Sequence, residues 1–100
     1  MNPATTPLLE VLRDARALLA LPDNDFAWSR WDGAADALAE LDGFISHLEA
    51  GRSFDGSQLS ILFAPTCAMQ EVSMSSGWGD EFCRVAERFD SAFAQYESTW

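Results

Sequence analysis

The chain has no lysine, one histidine, one tyrosine and two cysteines among its 100 residues. Without lysine it cannot form a Schiff base at a side-chain amine, and it lacks the phosphate-binding lysine of a P-loop. Cys67 and Cys83 can pair at most once, which is not the disulfide framework of a small secreted domain. A reducing cytoplasm is therefore the expected compartment, and Met1 to Thr6 shows no basic segment of the kind that opens a secretory signal. The apolar stretch around Leu59 to Ala64 falls far short of the ~18 residues a membrane span needs. Metal ligands two to five residues apart are missing, so His47, Cys67 and Cys83 do not read as a zinc site. Asp23-Asn24-Asp25 opens like a calcium loop, but Ala27 and Trp28 stand where a third ligand and the glycine belong. The Gly-x-Ser-x-Gly, Gly-x-Gly-x-x-Gly and His-Glu-x-x-His patterns do not occur either. No cofactor, metal or catalytic residue is expected.

What is present is negative charge. Sixteen carboxylates face six arginines, giving a net charge of −10. Such a surface repels phosphate backbones and anionic lipid and attracts cationic partners. An apolar fraction of 48% with twelve aromatics nonetheless favours a packed core over disorder. One hundred residues suit a single domain spanning 1–100.

Punctuation and periodicity predict helices throughout. Thr6-Pro7 suits an N-cap followed by a first helical residue, after which Leu8, Leu12, Ala15 and Leu19 recur at helical spacing until Pro22. Pro22 to Asp25 reads as a loop. Ser29, answered by Asp32 in a variant capping box, predicts a second helix over about 30–50. Its apolar stripe is Trp31, Ala34, Ala35, Leu38, Leu41, Ile45 and Leu48, and Gly51 ends it. Residues 59–63 alternate as a strand would but also fit a short helix, and with no pairing partner the helix is preferred. Pro65-Thr66 caps another short helix carrying Met69 and Val72 and ending near Gly77. The last helix places Trp78, Phe82, Val85, Phe89, Ala92 and Tyr96 on one face, with Asp80 and Glu81 at its positive end. The expected fold is all-α: a small antiparallel bundle of three longer helices plus two short ones, with Trp78 anchoring the last corner.

Leu62-Phe63-Ala64-Pro65-Thr66 and Ser76-Gly77-Trp78-Gly79-Asp80-Glu81-Phe82 resemble segments of short uncharacterised bacterial all-α proteins, as does Pro22 to Phe26 ahead of a Trp-bearing helix. The resemblance implies structural corners and transfers no activity. In composition the chain is also similar to small acidic helical immunity proteins, without a shared motif.

Asp32, Asp36, Glu40, Gly43 and His47 fall opposite the stripe of the second helix. Charge runs are usually solvated faces, yet no basic residue lies between Asp32 and Glu49. Asp32, Asp36 and Glu40, with Trp28 nearby, are thus candidate contacts for a protein partner with a basic surface. Trp28 and Trp100 are the tryptophans least readily buried and mark a protein contact or a dimer face. Cys67, just after a capping Thr66, has an alternative role as a thiol nucleophile or redox sensor, because a helix start lowers a thiol pKa. A buried, inert cysteine is the commoner outcome. The function expected is a small acidic non-enzymatic interaction module. A Cys67-dependent enzyme or sensor and a structural homodimer are the alternatives.

Overall fold

The computed structural model describes residues 5–27, 29–51, 56–63 and 67–98. Five helices follow in chain order: α1 Thr5–Leu19, α2 Ala34–Glu49, α3 Gly56–Ile61, α4 Ala68–Ser76 and α5 Gly79–Ser98. Among the described residues there is no strand, so 59–61 is helical as the missing pairing partner implies. The Cα radius of gyration is 13.0 Å, the value expected of about 100 residues packed as one body.

α1 lies centrally, packing against both α2 and α5, while α4 packs on α5. Its helical spacing puts Leu8, Leu12, Ala15 and Leu19 fully out of solvent. The predicted last face is buried throughout: Trp78, just before α5, and Phe82, Val85, Phe89, Ala92 and Tyr96 within it are all buried, and so is Phe93. A ladder of rings runs along it. Phe63 stacks on Phe89 at 4.1 Å, Phe89 on Phe93 at 5.0 Å and Phe93 on Tyr96 at 6.5 Å. Gly56 starts α3 against that ladder; a Cβ there would lie 3.0 Å from Phe93 Cζ, so the close approach depends on its absence.

Helix starts differ from expectation. α1 begins at Thr5, so Thr6 is inside the first turn instead of capping it. Pro7 still costs no hydrogen bond there, because the first turn's N–H groups have no intrahelical acceptor. α2 begins at Ala34, not near 30, and Ser29 is not its cap. The Ser29 hydroxyl is engaged locally, donating to Phe26 O at 2.9 Å and accepting from Trp31 N at 3.2 Å. That bend lets the Trp31 ring turn into the core, where it is buried. The stripe on α2 shifts accordingly: Ala37, Leu41, Ile45 and Leu48 are buried, while Ala35 is exposed. For α4 the N-cap is Cys67 itself, its Sγ accepting from Gln70 N at 3.3 Å. Pro65 and Thr66, the cap expected from sequence, lie outside the described residues.

α4 ends as predicted. Gly77 adopts φ 86°, the left-handed conformation that glycine takes without a Cβ penalty. The N–H of Gly77 donates to Ser73 O, and Trp78 N donates to the same carbonyl at 2.9 Å. Trp78 Nε1 then donates to Asn24 Oδ1 at 2.8 Å, and Asn24 Nδ2 donates to Leu18 O at 2.8 Å. Asp25 N donates to Ser76 Oγ at 2.8 Å. The α4–α5 corner is thereby clipped to the loop between α1 and α2.

Candidate interaction surface

The acidic residues singled out by sequence lie at the start of α2, positioned by the bend at Ser29. Asp32 precedes the helix, and its N–H donates to Asp36 Oδ2 at 3.1 Å. Asp36, in the first turn, also complements the positive end of the α2 dipole. Both are exposed and neither forms an ion pair among the described residues. Glu40, one turn on, is different. Arg30 folds across from the preceding bend and grips it through two bonds, Nη1–Oε1 at 2.8 Å and Nη2–Oε2 at 2.5 Å. The paired carboxylate raises the Arg30 pKa further above its ordinary value, chiefly through that hydrogen bond. The Arg30 guanidinium also sits 5.1 Å above the Trp31 ring. Trp28, the fourth predicted contact, and Trp100 lie outside the described residues.

The far half of α2 is neutralised from α1. Arg16 makes a fork to Asp42, Nε–Oδ1 at 2.6 Å and Nη2–Oδ2 at 3.2 Å. Arg13 pairs with Glu49 at 2.8 Å. The fork lowers the Asp42 pKa below the usual carboxylate range, again mainly by hydrogen bonding from Arg16. On α5, Arg88 reaches Asp14 at 2.8 Å and Arg84 stands 3.8 Å from Glu81. Every described arginine is thus engaged within the chain. Such exposed pairs stabilise little, about 0–1 kcal/mol each. Their larger effect is to decide which carboxylates keep their charge uncompensated. From the α1–α2 loop to the first turn of α2, Asp23, Asp25, Asp32 and Asp36 have no ion pair among the described residues.

Cys67 and Cys83 are both free; Cys67 is buried and Cys83 exposed. Burial pushes the Cys67 thiol above its ordinary pKa, outweighing the opposing bonds from Gln70 N and its neighbours and the nearby Arg30 charge. The thiolate that a nucleophile needs is therefore scarce at neutral pH. His47 is exposed on α2, with Nδ1 2.8 Å from Gly43 O. Among the described residues no group of three or more His, Cys, Asp or Glu is placed to hold a metal ion. Nor is any of their helices long and apolar enough to cross a membrane.

Concavities indent the surface among the described residues. One of about 410 Å³ lies between α1 and α5, bordered by Glu10, Glu87 and Arg88. The larger, about 640 Å³, runs along α5 beside α3 and α4. Sequence reading passed over its carboxylates, Glu87, Asp90 and Glu97. Their spacing of three and seven, flanking the Phe82–Phe89–Phe93 set at helical period, is the signal that marks them. Compared with known families, curated proteins and solved structures, the chain matches none.

Proposed function

We propose that the protein is an acidic, non-enzymatic interaction module, an antiparallel bundle of three longer and two short helices. It binds a cytoplasmic protein partner that presents a basic surface. One observation carries this reading: with all described arginines engaged internally, Asp23, Asp25, Asp32 and Asp36 have no cation partner among the described residues. A partner's arginines or lysines would relieve their mutual repulsion, and the same field accelerates encounter. Asp32 and Asp36 make the direct contact, Glu40 is occupied by Arg30, and Trp28 supplies apolar area. The sign of the net charge disfavours nucleic acid as a partner.

The test is capture of the partner on immobilised wild-type, Asp32→Arg and Asp36→Arg protein across a salt series. Thermal melts first establish that each variant is folded. Affinity should fall with salt, and each reversal should weaken it about tenfold, or about 1.4 kcal/mol. A captured partner indifferent to salt and to both reversals would defeat the reading.

A further inference from the structure

We propose that the groove along α5 is a docking site for a cationic amphipathic helix of a protein partner. It shares no residue with the α2 surface. The groove has a volume of about 640 Å³; the edges of Phe63, Phe82, Phe89 and Phe93, each otherwise buried in the core, form its floor, and Ala86 and Ala94 add apolar surface at its side. Glu87, Asp90 and Glu97 edge it, and no basic residue lines it among the described residues. None of the three has an ion pair among the described residues. Ser60 and Gln70, from α3 and α4, are uncharged. The charge therefore sits along a single edge, that of α5.

The spacing of charge selects the occupant. Residues 87 and 97 are ten apart on one helix, so their carboxylates are spread over roughly 15 Å at 1.5 Å per residue. A small organic cation satisfies one of them. A helix carrying Lys or Arg along one edge at three- and four-residue spacing satisfies all three while its apolar face enters the groove, the helix-in-groove mode of recognition. A second copy of this chain is disfavoured, since it would set the same three carboxylates against themselves on chains of net charge −10.

The probe is a synthetic helix of about 14 residues, roughly 21 Å long, with leucines on one face and lysines along its edge. A scrambled peptide of identical composition serves as the comparison. Binding is read by anisotropy of the labelled peptide, and occupancy by the alkylation rate of Cys83, an exposed residue lining the groove. The patterned peptide should bind at least about tenfold more tightly than the scrambled one. Saturation should slow Cys83 alkylation by about tenfold, and the exposed double substitution Glu87→Lys, Asp90→Lys should weaken binding about tenfold. Equal binding of the scrambled peptide, or indifference to the double substitution, overturns the proposal. So does unchanged Cys83 reactivity. Slow alkylation without peptide, together with a dimer in sedimentation, makes a second copy the occupant and overturns it too. Peptide binding that survives Glu87→Lys, Asp90→Lys but is lost in Asp36→Arg assigns the peptide to the α2 surface, supporting that reading and sinking this one.

Discussion

Replacing Trp78 tests whether the α4–α5 corner is held by one ring acting in two ways. The side chain is 5% exposed, and its Nε1 donates to Asn24 Oδ1 at 2.8 Å. Trp78→Ala removes the buried ring, a loss of about 3–5 kcal/mol. Trp78→Phe keeps most of the apolar volume but strands the Asn24 carbonyl oxygen, and should cost about 1–3 kcal/mol. Asn24→Ala strands Trp78 Nε1, while Leu18 O keeps its bond from Leu21 N, and should cost a similar amount. Because Trp78→Phe and Asn24→Ala break the same bond, the double variant should lose less than the sum of the singles. For a domain of this size 1 kcal/mol corresponds to about 4–8 °C in Tm. Trp78→Ala should therefore lower Tm by at least about 12 °C, a large share of a total stability of about 5–15 kcal/mol. The assay is urea and thermal unfolding followed by far-UV circular dichroism, which does not depend on the tryptophan removed. A Tm shift below about 5 °C for Trp78→Ala, or strict additivity in the cycle, would refute the account.

Two further outcomes follow from the placement of single groups. Iodoacetamide at pH 8 should label exposed Cys83 at least about tenfold faster than buried Cys67, and urea should bring the two rates together. Mass mapping of the labelled peptides checks this, and comparable rates in the native protein would contradict the burial of Cys67. The Arg16–Asp42 fork depresses the folded-state pKa of Asp42. Its contribution is present above the unfolded carboxyl pKa of about 3.9 and is lost as pH falls through the folded value. Asp42→Asn should accordingly show a smaller drop in urea midpoint between neutral pH and pH 3 than wild type; an unchanged drop counts against the fork.

The helices were legible because apolar spacing and local punctuation act within a few residues. α5 illustrates this: every position on its predicted face is buried, and Gly77 takes the left-handed turn that its place after α4 suggests. The errors fall where a side chain has two competing local partners. Ser29 looks like an N-cap, but burial of Trp31 recruits its hydroxyl into a bend instead. Cys67 is a weaker acceptor than a hydroxyl, so nothing in its residue type announced it as the α4 cap.

The charged surface was harder to read, because ion pairs join residues remote in the chain. Arg30 reaches ten residues to Glu40, Arg16 reaches 26 to Asp42 and Arg13 reaches 36 to Glu49. From sequence, α2 carries an uninterrupted acidic run; in the fold, three arginines from outside the helix neutralise Glu40, Asp42 and Glu49 and leave its first turn bare. Charge excess alone therefore does not locate a binding surface. The useful quantity is the set of carboxylates that the arginines do not reach. That set concentrates at Asp23 to Asp36 and along the 87–97 edge of α5. The second borders a groove whose floor is formed by the edges of buried phenylalanines, and water displaced from it adds to charge attraction. A partner held at the first surface alone should dissociate readily with salt. One seated in the groove should keep part of its affinity at high ionic strength, since burial of apolar area is not screened.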